Sequence, residues 1–232
     1  MERLLLSLIH SRRNKGKSGA TVSFTQEMAL TSTKELFLSN KDNKQKFVNI
    51  LGAELQKFNC QVFHDRADAD FLIVQKAIEC TENTATVLVG DDTDLLILLL
   101  HHASLERNNI FFIPEPRKKS SQRIWNIKEG NETLGPHICK HILFLHAFLG
   151  SDTTSHIYGF GKNALMKKIK SSNRLMQAAE IFDSPQSSAS DIEHAGETAM
   201  CVLYNGKPGE SLNNLRYRKF YEKLSTYLLR QS

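Results

Sequence analysis

Acidic residues gather at three places along the chain. Asp65, Asp68 and Asp70 stand at the head of a predicted helix. Asp91, Asp92 and Asp94 directly follow an apolar run, and Asp152 follows Phe148-Leu149-Gly150. Crowded carboxylates repel one another unless a cation lies between them. Hard divalent ions such as Mg²⁺ and Mn²⁺ take oxygen ligands. Two such ions about 4 Å apart can activate a water and stabilise the leaving oxygen of a phosphodiester. The competing role is local, because Asp is a favoured helix N-cap and interacts well with the helix dipole. Residues at i and i+2 of a helix point about 200° apart. Asp92 and Asp94, or Asp68 and Asp70, therefore converge only where one of each pair lies in the pre-helical turn. Gly90 makes such a turn available.

A second chemical feature is Gly159-Phe160-Gly161-Lys162. A Gly-x-Gly turn opening a helix exposes backbone N–H groups to a phosphate, although a plain Gly-rich helix entry has the same composition. His137, Cys139, His141 and His146 lie close together. His137 and His141 share a helix face at i, i+4, the spacing of a zinc pair. Cys139 and His146 fall off that face, whereas a structural zinc site needs four converging ligands. His101-His102 reads as a partner for a helix C-terminus. No Walker loop, G-x-S-x-G or H-E-x-x-H sequence is present. Arg117-Lys118-Lys119 reads as a solvated basic loop or a weak nucleic-acid or nuclear-targeting patch.

The elements that must position these residues follow from periodicity. A helix is predicted from about Asp42-Asn43 to Lys57, with Phe47, Ile50, Leu51 and Leu55 on one face and Lys44 and Lys46 elsewhere. A short strand over Cys60–Phe63, a helix over Asp68–Cys80, a buried strand over Thr84–Val89, a helix over Asp92–His102 and a strand over Asn109–Ile113 come next. That alternation is the mark of a parallel α/β sheet. It places the acids beyond the carboxyl ends of strands, where open sheets hold their sites. An edge strand is expected around Gln122–Ile127. Helices are then predicted over Pro136–Phe148, Lys162–Lys170, Arg174–Phe182, Ile192–Tyr204 and Leu212–Leu229. The chain thus reads as an α/β part over 1–132 and a helical part over 133–232.

Composition narrows the classes. Lys and Arg number 30 against 25 Asp and Glu, a formal net charge of +5, which points mildly to an anionic partner. A 41% hydrophobic content excludes a disordered chain. The longest aliphatic run near the centre, Leu95–Leu100, is far short of a membrane span. The apolar Leu4–Ile9 is too short for a secretory segment. Four scattered cysteines without a C-x-x-C pair suggest a reducing, intracellular setting, nuclear or cytoplasmic.

The order of motifs resembles the flap endonuclease branch of the PIN-like nucleases. The motifs are Asp68-Ala69-Asp70, Val89-Gly90-Asp91-Asp92-Thr93-Asp94-Leu95-Leu96, Leu149-Gly150-Ser151-Asp152 and Gly159-Phe160-Gly161. The nearest likeness is to uncharacterised transposon-associated animal proteins, through Asp92–Leu96, His146-Ala147 and Gly150–Ser155. The resemblance spans roughly 40–170. It implies a PIN-like parallel core followed by a helical region with a helix-hairpin-helix-like turn. It also implies metal-dependent phosphodiester hydrolysis of DNA or, less favoured, RNA. On it, Asp68, Asp70, Asp92, Asp94 and Asp152 would hold two Mg²⁺ or Mn²⁺ ions, with Asp92, Asp94 and Asp152 at the reacting phosphate. Gly159, Gly161 and Lys162 would hold duplex backbone, with K⁺ at that turn, and Lys44 and Lys46 would contact nucleic acid near the cut. Three departures mark the sequence. Glu2 is the sole acid in Met1–Phe24, where such nucleases begin with a strand ending in a metal-binding Asp. The first cluster is Asp where those enzymes favour Glu, and Thr153 stands at a usual aromatic position. The alternative is therefore an inactive PIN-like module binding nucleic acid or protein, such as a domesticated transposon fragment.

Overall fold

The structure, a computed structural model, describes residues 19–64, 69–104, 109–114, 123–150, 157, 167–168 and 172–229. They belong to two packed units, 1–67 and 68–232.

In the first unit, helices α1 (Lys34–Leu38) and α2 (Lys41–Lys57) carry an extended strap. The tie is Asn43, which is buried. Its Oδ1 accepts from Val22 N–H at 2.8 Å, and its Nδ2 donates to Ala20 O at 2.9 Å and Phe37 O at 3.2 Å. The helix starts slightly before the predicted Asp42-Asn43, with Asn40 as its N-cap, accepting from the Asp42 and Asn43 N–H groups. The apolar stripe of α2 is mostly open to solvent at Phe47, Leu51 and Leu55. Cys60–Phe63 is not a strand. Beyond the left-handed Asn59 the chain turns back, and Val62 and His64 lie against Gly52 of α2. Strand structure needs a paired neighbour, and this segment packs on a helix instead.

The second unit begins with α3 (Ala69–Cys80), β1 (Thr86–Val89), α4 (Thr93–His102), β2 (Ile110–Ile113) and β3 (Trp125–Asn126). Strand β1 pairs parallel to β2, Thr86 opposite Ile110 through Val89 opposite Ile113, and β2 pairs antiparallel to β3. The α/β alternation of the sequence is thus present, as a small three-stranded mixed sheet in a mostly helical chain. Leu88 and Phe112 face a core with Val74 and Ala77 of α3, Leu95 and Leu99 of α4, and Ile127 and Ile142. The expected buried strand is half buried, with Val87 at 53% and Val89 at 62% exposure. Side chains alternate along a strand, and among the described residues helices cover one face of the sheet.

Asn126 ends β3 and caps α5 (Ile127–Leu134), accepting from Lys128 N–H, so the edge strand is shorter than expected. Gly135 then takes φ +85°, a conformation that L side chains rarely adopt. Pro136 opens α6 (Pro136–Lys140), and α7 (Ile142–Leu149) follows. The single helix predicted over Pro136–Phe148 is broken at His141, whose backbone (φ −105°, ψ 11°) leaves the helical basin. Helices α8 (Asn173–Asp183), α9 (Ala189–Leu203) and α10 (Leu212–Leu229) complete the unit. Small residues Ala178, Ala179, Ala195 and Ala199 let α8 and α9 approach closely around Leu175, Leu203, Phe144 and Leu145.

Helix α10 is anchored by buried Leu215 and by Arg218. The Arg218 guanidinium donates twice to Glu210 at 2.8 Å and once to Glu222 at 2.9 Å. Those bonds hold the Glu210 carboxyl down from 4.5 to about 2. A depressed carboxyl stabilises the fold above its unfolded pKa, and the contribution fades as pH falls through the folded value. Wild type should therefore lose stability between about pH 4.5 and 2 more steeply than Glu210→Gln, measured as thermal midpoint against pH. Leu99 is fully buried, so Leu99→Ala should lower unfolding free energy by about 2–5 kcal/mol in urea titration.

Candidate functional site

The main site is built where β1 hands over to α4. Gly90 N–H still donates to Ile113 O at 3.1 Å, extending the parallel ladder one residue past β1. A Cβ on Gly90 would lie 2.6 Å from Leu95 Cδ1, so a side chain there would displace the end of the Leu95 side chain in the core. The chain then presents Asp91 and Asp92, both exposed, at the carboxyl end of the strand. Asp92 is extended (φ −90°, ψ 129°) and is the N-cap of α4, its Oδ1 accepting from Asp94 N–H at 2.9 Å. Asp92 is thus in the pre-helical turn and Asp94 in the first helical turn, as convergence of an i, i+2 pair requires.

Asp94 has a partner from another element. His146 of α7 donates Nε2–H to Asp94 Oδ1 at 2.8 Å, with the two side chains 18% and 33% exposed. Asp94 carries a negative charge beside helix N–H groups, which the helix dipole favours. The bond fixes the direction of one carboxylate oxygen. Sequence reasoning assigned His146 to no role at this site. The signal available was its place about one turn before Gly150, in the stretch that carries the acidic motif ending at Asp152.

The other expected residues fall as follows. Asp70 is in the first turn of α3. Phe71, next to it, packs edge-on against His102 at 5.5 Å, at the end of α4 away from Asp94. Lys44 and Lys46 are exposed on α2 of the first unit, and Lys46 Nζ sits 4.9 Å over the Phe24 ring, a cation–π contact. Asp68, Asp152, Gly159, Gly161 and Lys162 lie outside the described residues, as do Asp65 and the basic run 117–119.

Among the described residues, Asp70, Asp92 and Asp94 do not form a group of three with ligand atoms close enough to share one ion. His137, His141 and Glu180 do, within 4.8 Å of one another. Cys139 stands apart from them: its thiol reaches Asn131 Oδ1 at 3.3 Å, and burial pushes its pKa up. His101 and His102 stand in the last turn of α4, and His101 also donates Nδ1–H to Cys139 O at 3.1 Å, tying α4 to α6.

Among the described residues no helix is long and apolar enough to cross a membrane. Comparison of the chain with protein-family models, curated proteins and solved structures finds no match.

The cap geometry makes a specific prediction. Asp92→Ala should cost about 1 kcal/mol of stability, whereas Asp92→Asn, an equally good cap, should stay within a few tenths. Denaturant titration of both variants checks it.

Proposed function

We propose that this chain carries a PIN-like, flap endonuclease-like core that hydrolyses phosphodiester bonds of nucleic acid, DNA rather than RNA, with Mg²⁺ or Mn²⁺. The observation that carries the reading is Asp94. It is a partly exposed carboxylate at the carboxyl end of a parallel strand, next to Asp92, with one oxygen oriented by His146. Oxygen donors of this kind suit hard divalent ions. A hydrogen-bonded partner that orients a ligating carboxylate is a recurrent feature of such sites. The order of motifs supplies the rest of the proposed set, Asp68, Asp70 and Asp152, with Gly159, Gly161 and Lys162 for the phosphate backbone.

In this reading Asp92 and Asp94 hold the cation, and His146 keeps Asp94 in its binding rotamer. When bound, the divalent ions supply a water acidic enough to attack phosphorus and neutralise charge on the leaving oxygen. Lys162 and the glycine turn grip the backbone on one side of the scissile bond. Lys44 and Lys46 are assigned to further phosphate contacts.

One observation favours a second reading, an inactive PIN-like module that binds nucleic acid or protein. The Asp92 carboxylate is already used as a helix cap, a role it fills without any metal.

The test is cleavage of labelled single-stranded, duplex and flap DNA by wild type with Mn²⁺, beside an EDTA control. Asp94→Asn should abolish cleavage. His146→Ala should lower it about 10–100-fold, the usual loss when an orienting partner is removed. Folded wild type that binds these DNAs without cutting them would establish the second reading instead.

A further inference from the structure

The junction of α6 and α7 sets His141 in an unusual state. Its side chain is fully buried, yet Nε2 has no hydrogen-bond partner among the described residues. Buried polar side-chain atoms are nearly always paired, so the orphan needs an explanation. Its other nitrogen is firmly engaged, with Nδ1 2.5 Å from Oδ2 of Asp183, the last residue of α8. A carboxylate can only accept here, so Nδ1 carries a hydrogen, and Nε2 is the nitrogen left to bind a ligand when the ring is neutral. A neutral imidazole held by a carboxylate on one nitrogen, with the other free, is how metal-ligating histidines are oriented.

Two further donors stand near the His141 ring. His137 lies one helical turn back, its ring 5.4 Å from the His141 ring and perpendicular to it. Glu180 comes from α8, one turn before Asp183. One ligand atom from each of the three lies within 4.8 Å of the others. Around a tetrahedral zinc, ligands at about 2.0–2.2 Å stand roughly 3.3–3.6 Å apart. His137 and Glu180 are exposed, so rotation of these two side chains can close the gap around the fixed His141.

We propose that His137, His141 and Glu180 form a zinc site, with Asp183 as the positioning residue behind His141. Two imidazoles and one carboxylate suit a borderline ion such as Zn²⁺ and not the all-oxygen preference of Mg²⁺ or Ca²⁺. Three protein ligands would leave one position of a tetrahedral ion for a further ligand. The ion clips the α6–α7 junction to α8. The site shares no residue with Asp92, Asp94 and His146, so it is independent of the nuclease reading.

The experiment uses the full chain, stripped of metal with a chelator that is then dialysed away. Zn²⁺ is titrated in competition with a chromophoric chelator, and Co²⁺ is bound in its place to read the ligand field. Wild type should take up about one Zn²⁺ per chain and melt at a higher temperature with it. Its Co²⁺ spectrum should be that of a nitrogen and oxygen site without a thiolate charge-transfer band. His137→Gln and Glu180→Gln, both at exposed positions and hence expected to fold, should each weaken Zn²⁺ by tenfold or more. Asp183→Asn should weaken it about 10–100-fold. The double variant Cys60→Ser/Cys80→Ser, removing the exposed thiols, should bind as wild type does. Folded wild type that takes up no Zn²⁺, or equal affinity in wild type, His137→Gln and Glu180→Gln, would overturn the proposal.

Discussion

Parallel pairing of β1 with β2 is the constraint on which the second unit depends. A parallel pair cannot be joined by a tight turn, so the chain must cross back over the sheet before it can pair again. Helix α4 makes that crossing. Its apolar residues Leu95 and Leu99 complete the core against Leu88 and Phe112. The crossing starts directly after β1, with Gly90 packed closely under Leu95 and Asp92 capping the helix. The pairing that makes the core therefore also sets carboxylates at the strand's carboxyl end. Stability and candidate chemistry share the same few residues.

A second layer of order comes from polar groups placed inside. Asn43 ties the strap of the first unit to both of its helices. His141 ties the α6–α7 junction to α8 through Asp183, and His146 ties α7 to the start of α4 through Asp94. Each replaces contacts with water by directed bonds, so each specifies one geometry where apolar packing would tolerate several. Helix α7 thus carries a histidine tie at each end.

Much of the second unit was legible from periodicity. The stretches that became α3, β1, α4, β2, α9 and α10 have apolar patterns or caps strong enough to be read locally. The misplaced elements each lost to a nonlocal effect. Cys60–Phe63 has strand-like residues but no strand beside it among the described residues. Pro136–Phe148 has a continuous helical pattern, yet His141 leaves it to reach Asp183. Val87 and Val89 belong to an apolar run whose second face no helix among the described residues covers. In the candidate site, Asp92 and Asp94 were legible because a cap and a first-turn acid are neighbours in sequence. His146 was not, because it reaches Asp94 from 52 residues away.

What the sequence determined alone was local: the helix starts, the glycine turn, the crossover pattern and the order of acidic motifs. These depend on backbone preferences and capping bonds within a few residues. The tertiary structure decided which polar side chains meet. Glu180 carries no mark that places it beside His137, and Asp183 none that aims it at His141. Their convergence is set by how α8 packs against the α6–α7 junction, which follows from the packing of apolar faces far apart in the chain. Short-range spacing cannot encode that, since the distance between two side chains on different helices is fixed only after the core between them has closed.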